Sequence, residues 1–269
     1  MTRRWRTIGG RVALVLGVLA LPMVFAYNAT GKRWEGGTTT MYTGIPGGSK
    51  WSTALQASMQ QWTDKTAFKF VANPNYLNPC IGYSRSSTGA DFPDGNGDQL
   101  NGTDFRNDLC GNDFGSSVLA TTLVTSNSNQ FGFTYITEAD IVFNSAFIWD
   151  VYNGPRKNTV INGQSQSLTD FGRVSLHELG HVLGLDHEND ATIPAIMAPK
   201  ISDLYQLQSD DIAGANSLYA AATVCQFKTL KIDALVRDSL DSSDCRIKDL
   251  FGTGTDASYV DAYKFTLTT

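Results

Sequence analysis

Histidine is nearly absent from this 269-residue chain: there are three, and all fall between residues 177 and 187. Cysteine is almost as scarce. None of the four stands in a CxxC spacing, which argues against a zinc-thiolate module. Positive charge is also in deficit. Removing residues 1–26 takes away four arginines and no acid, leaving 17 basic against 26 acidic residues and a formal charge of about −9. Nucleic acid is therefore excluded as an expected partner. The 15-residue apolar stretch at residues 12–26 falls short of the roughly 20 residues needed to span a bilayer.

That stretch follows Arg3, Arg4, Arg6 and Arg11 and ends in Val24-Phe25-Ala26. It reads as a cleavable secretory signal over residues 1–26, an uncleaved membrane anchor being the competing reading. The mature chain is then expected to be secreted and extracellular, with periplasm or cell surface as alternatives, and to carry no stable membrane span. Four cysteines in an exported chain suggest two disulfides. Sequence leaves three pairings open. Cys80 with Cys110 and Cys225 with Cys245 are favoured, since each pair closes a local loop.

The length suits one sizeable core and a small second module. Residues 38–43 are β-prone, and Trp51, Leu55, Met59 and Trp62 recur at helical spacing over residues 51–63. Phe68, Phe70 and Ala72 alternate as a strand. Residues 73–115 break every period and read as an Asp-, Gly- and Asn-rich insertion fastened by Cys80 and Cys110. Within it, Asp94-Gly95-Asn96-Gly97-Asp98 offers alternating oxygen ligands for Ca2+. Gln99 and Phe105 depart from an EF-hand loop, and a solvated loop is the competing reading. Residues 118–124, 131–136 and 139–143 read as three strands. The last could lie at a sheet edge and hold an extended peptide, or be an ordinary interior strand. Residues 153–168 read as loose and polar. Residues 223–269, with the second cysteine pair and an alternating end, read as a small β-rich extension.

The chemistry sits in His177-Glu178-Leu179-Gly180-His181-Val182-Leu183-Gly184-Leu185-Asp186-His187. His177 and His181, four apart, project from one helix face, as two ligands of one ion must. Gly184 lets the backbone leave the helix sharply, so that His187 swings back as a third ligand. Three imidazoles and one open position describe a catalytic Zn2+. Glu178 lies about 100° further round the helix, beside the ion, where a carboxylate can act as general base. Asp186 is a candidate to orient a ligand histidine, or a plain turn residue. Thr169 or Asp170 can cap this helix, and Ser209 opens the last one. A non-catalytic zinc module for adhesion or binding is the competing function, and an unliganded Glu178 speaks against it.

Several separated segments resemble the metzincin zinc endopeptidases, most closely the matrixins. The residues are His177, Glu178, His181, Gly184 and His187; Met197 and Pro199; Trp34; the helix with Trp51 and Trp62; the ADIVF strand; and the DDIAGANSLY helix. The resemblance covers roughly residues 32–222. It implies an α+β metzincin-like zincin domain with a twisted mixed sheet, an active-site helix and a C-terminal helix, followed by a short β-rich tail. It makes Met197 the Met-turn methionine and proteins or peptides the substrates of a monomeric enzyme. The implied layout is a signal at 1–26, a catalytic domain at 27–222 and an extension at 223–269. Glu188 stands where matrixins usually carry serine and follows the third histidine as the glutamate of astacins does, but Leu185 stands where astacins carry phenylalanine and no tyrosine follows Met197 at the second position. With no fourth histidine, the second, structural zinc of animal matrixins cannot be built.

Overall fold

The computed structural model describes residues 27–83, 97–128 and 134–219, together with four two-residue strands further on. The expected signal over residues 1–26 and most of the expected extension at 223–269, including Cys225, lie outside the described residues. In the extension the described backbone consists of β10 (Lys228–Thr229) paired with β13 (Tyr263–Lys264), and β11 (Cys245–Arg246) paired with β12 (Tyr259–Val260).

Residues 32–144 build a mixed sheet. Its strands are β1 (Lys32–Arg33), β2 (Thr38–Tyr42), β3 (Lys69–Asn73), β4 (Thr103–Arg106), β5 (Ala120–Ser128) and β6 (Thr134–Asn144). β6 is central: β1 and β4 run parallel to it, and β5 runs antiparallel along its other side. The parallel pair β2–β3 is joined to this group by a bridge between Met41 and Asn101. Parallel strands need a crossover, and α1 (Ser49–Lys65) supplies the one between β2 and β3. Trp62 is fully buried on α1, and its indole N–H donates to Leu176 O at 3.0 Å. That bond fastens α1 to α2 (Phe171–Val182), while Met41, Phe68, Phe143 and Phe171 fill the space between helices and sheet. Each such side chain contributes roughly 2–3 kcal/mol by leaving water.

One open alternative is resolved here and two expectations are corrected. The run 139–143 is an interior strand with neighbours on both sides, so it offers no edge; the edge is β5. Residues 134–136 and 139–143 belong to one continuous strand, because Glu138 between them pairs with Thr125 of β5 and Thr137 is taken up where the register shifts by one residue. The stretch 73–115 is no mere insertion, since β4 lies inside it and pairs with the core of β6.

Residues 153–168 also differ from their reading. They form a hairpin of β8 (Lys157–Ile161) and β9 (Gln164–Asp170), with β7 (Trp149–Asp150) parallel to the end of β9. Asn162 and Gly163 turn it with φ of 51° and 77°, the positive values a tight hairpin demands. Its side chains are mostly exposed on both faces, so no alternation marks it in the sequence. Cys80 and Cys110 are disulfide-bonded, with Cα atoms 5.2 Å apart. The last helix of the domain is α3 (Ser209–Tyr219). Among the described residues, no helix is long and apolar enough to cross a membrane.

Candidate active site

The helix carrying the first two histidines is fixed at both ends. Asp170 caps it by accepting the N–H groups of Gly172 and Arg173 at 3.2 and 3.3 Å. At the other end Leu185 N–H reaches Gly180 O and Gly184 N–H reaches His181 O, at 3.0 and 2.9 Å. This is the Schellman pattern, and Gly184 takes the left-handed position at φ 97°. Two carbonyls remain, and both are met by aromatic donors. Trp34 Nε1–H donates to Val182 O at 2.7 Å, and Tyr219 Oη–H to Leu183 O at 2.6 Å.

Beyond the turn, the segment before β1 straps down the chain that leads to His187. Thr30 N–H donates to Gly184 O, Asp186 N–H to Asn28 O, and Asn28 Nδ2 to His187 O, each near 2.9–3.0 Å. As a result the three Nε2 atoms of His177, His181 and His187 converge, at separations of 3.1, 3.2 and 3.2 Å. A tetrahedral ion with metal–nitrogen bonds of about 2.0–2.1 Å sets its ligands about 3.3 Å apart, so zinc fits this trio.

The tautomers agree with that role. His177 Nδ1 lies 2.7 Å from Ile196 O and His181 Nδ1 lies 2.9 Å from Leu185 O. A carbonyl can only accept, so each Nδ1 carries the proton and each Nε2 turns a lone pair to the centre. Burial, with His181 adding to it, pushes His177 down to about 3, and burial also lowers His187. Both rings are thus held neutral, the state in which imidazole binds a metal. Of the two readings of Asp186, the hydrogen bonds favour the turn residue. Asp186 is exposed, and its Oδ1 accepts the backbone N–H of His187 at 2.7 Å, so it shapes the turn.

Glu178 is buried beside the trio, and burial raises its carboxyl against the opposing pull of His181 and a hydrogen bond from Thr122. Thr122 Oγ1 stands 2.6 Å from Glu178 Oε2. Met197 lies beneath the site, packed on Gly180. Asp211, at the start of α3, accepts the N–H groups of Ile196, Met197 and Gln208 at 3.0, 3.1 and 2.8 Å. One turn therefore links α3 to the first ligand: its amides are held by Asp211, and its Ile196 carbonyl holds His177. The whole borders a cleft of about 820 Å³, walled by residues 117–122 on one side and 198–201 on the other.

Comparison with known proteins decides the family. The profile of the matrixin family of peptidases matches residues 40–220. The chain belongs to the matrixins. Matrix metalloproteinase-16 of Homo sapiens and of Rattus norvegicus is 46% identical over 54 residues, which is 19% of this chain and 9% of that protein. Macrophage metalloelastase of Oryctolagus cuniculus is 47% identical over 55 residues, 19% of this chain and 11% of its own length. The match thus spans about a tenth of the length of these relatives. Matrixins are zinc metalloendopeptidases, the family implies a catalytic zinc, and the three histidines of this matrixin are grouped closely enough to hold a metal ion.

The structure brings the three histidines, Glu178 and Met197 into one neighbourhood. Sequence reasoning missed Thr122, Gly180 and the clamping role of Asp211. Gly180 alone gave a signal, since a glycine inside a helix costs about 1 kcal/mol against alanine and asks for a reason. In the candidate calcium loop, Asp94, Gly95 and Asn96 lie outside the described residues, while Asp98 Oδ1 accepts Leu100 N–H at 2.9 Å in a local turn. Pairing of Cys225 with Cys245 likewise lies outside the described residues.

Proposed function

We propose that this matrixin domain is an exported zinc-dependent endopeptidase, with His177, His181 and His187 as metal ligands and Glu178 as general base and acid. The observation that carries the reading is the convergence of three Nε2 lone pairs with a buried carboxylate at their side. Zinc held there supplies a Lewis acid that activates a water at neutral pH and polarises the scissile carbonyl. Glu178 takes the proton of the attacking water and returns it to the leaving amine. Met197 supports the floor without acting as a ligand.

The edge strand β5 supports a peptide substrate. Ile141 sends its N–H to Gly102 O, away from β5, so the facing pair Thr122–Ile141 is a non-hydrogen-bonded one. The N–H and C=O of Thr122 therefore point outward, and among the described residues no other strand takes them up. An extended chain can add there, with one side chain seated against Val174, Pro199 and Ile201. The Cys80–Cys110 disulfide agrees with export through the segment 1–26. The layout that goes with this reading is a catalytic domain at 27–222 and a β-rich extension at 223–269.

Glu178→Ala is the direct test. It should keep one zinc per chain by elemental analysis while casein hydrolysis falls by about 10²-fold or more. Hydrolysis at the parent rate would remove Glu178 from the mechanism, whereas a parent protein that leaves casein intact would refute the endopeptidase reading.

A further inference from the structure

On β5, Ala120, Thr122 and Val124 turn their side chains toward α2, the direction opposite to Leu123 and Thr125. Ala120 and Val124 pack as ordinary apolar neighbours of the core. Thr122 differs: its hydroxyl meets Glu178 twice, at 2.6 Å to Oε2 and 3.2 Å to the backbone O. A hydroxyl has one proton, and the shorter, charge-assisted contact takes it. Packing does not require this oxygen, because valine has the same shape. The same residue also presents its own N–H and C=O to the open edge of the sheet.

From this geometry we infer that Thr122 is a positioning residue for the reaction: its hydroxyl fixes Glu178 Oε2, leaving Oε1 to exchange the proton, while its main chain registers the peptide. The inference rests on the endopeptidase reading above. Docking of substrate and aim of the carboxylate then depend on a single residue, so a peptide seated in register at Thr122 finds the base already directed. An unanchored carboxylate at the end of Glu178 would sweep over several rotamers, and only some of them face the water.

The experiment compares Thr122→Val and Thr122→Ser with the parent on one fluorogenic peptide, and measures thermal unfolding of the same proteins and of Glu178→Ala and the double variant. Valine should lower kcat roughly ten- to hundredfold, as loss of a charge-assisted hydrogen bond would. KM should stay within about twofold of the parent. Serine, which restores only the hydroxyl, should recover most of kcat. In unfolding, Thr122→Val should lower Tm in the parent and much less in the Glu178→Ala background, which locates the coupling in that pair. An unchanged kcat in Thr122→Val, a serine variant as poor as valine, or a loss confined to KM would each overturn the inference. Should the parent cleave no peptide, the endopeptidase reading fails separately, and equal Tm losses in both backgrounds would still refute the Thr122–Glu178 coupling.

Discussion

Gly180 and Met197 touch so closely that no β-carbon fits between them. One built on Gly180 would lie 2.2 Å from Met197 Sδ, 3.0 Å from its Cε and 3.2 Å from Trp62 Cζ2. The glycine lets the Met-turn rise against the active-site helix, and the same turn offers Ile196 O to His177. The Met197 side chain thus packs directly on the backbone of the helix that carries His177 and His181.

Gly180→Ala should therefore act on the metal more than on the fold. Overpacking costs about 1–3 kcal/mol, and the gain in helix propensity returns up to ~1 kcal/mol. Displacing the turn loosens the hydrogen bond on His177, and loss of such a bond weakens metal binding about 10–100-fold. A chelator competition titration reads this directly. Parent-like zinc affinity would show that the turn moves without disturbing the ligand.

Gly184 poses a harder constraint. Its φ is 97°, and a β-carbon there would come within 2.2 Å of the Lys32 carbonyl oxygen, a backbone atom that cannot step aside. Gly184→Ala should cost roughly 2–3 kcal/mol or more in urea unfolding, from the left-handed backbone and the collision together. Gly184→Asn tests the division, since asparagine tolerates positive φ but meets the same oxygen. It should be nearly as damaging. Full recovery by asparagine would leave backbone conformation as the sole cause.

Asp211 holds three backbone N–H groups and is almost wholly buried. Asp211→Asn keeps the shape, yet it replaces one accepting oxygen with a donor that faces Ile196 and Gln208 or Met197. A loss of about 2–4 kcal/mol is expected, because buried donors are left without partners. Zinc affinity should fall with it, since the Met-turn carries His177. A change under ~0.5 kcal/mol, typical of an ordinary surface substitution, would dismiss the clamp.

Glu138 and Asp140 lie side by side in the sheet, both buried and interacting with each other, with the Tyr83 hydroxyl beside the pair. Two facing carboxylates cannot both be charged there, so they share a proton. Burial, with Glu138 beside it, pushes Asp140 up to about 9. The unfolded chain releases that proton near pH 4. Between about pH 4 and 9 the native state holds a proton that the unfolded state lacks, so this group's contribution to stability falls as pH rises. Asp140→Asn cannot titrate. Its stability relative to the parent should rise from pH 5 to pH 8.5, and a flat difference in Tm across that range would refute the shared proton.

What could be read in advance followed local period. His177 and His181 are one helical turn apart in any α-helix, Gly184 is the residue that ends such a helix, and Ser209 opens the next. The paired strands were harder. The hairpin of β8 and β9 has polar, solvent-facing side chains on both faces, so only Asn162-Gly163 betrays it. The four residues of β4 sit in a Gly- and Asp-rich stretch, and only pairing with 141–144 makes them a strand. Thr122 and Asp211 are of common residue types, and nothing in their neighbours in sequence points to Glu178 or Met197.

The sequence alone determined the chemistry on offer: three imidazoles at fixed offsets along a helix and its exit, a carboxylate next to the first, and no further histidine for a second imidazole site. Tertiary structure decided whether that chemistry assembles. The strap of residues 28–30 brings His187 round, the Met-turn and Leu185 carbonyls choose the tautomers, and β5 rather than β6 becomes the open edge. Those outcomes depend on hydrogen bonds and packing between segments far apart in the chain, and helical periodicity carries no information about them.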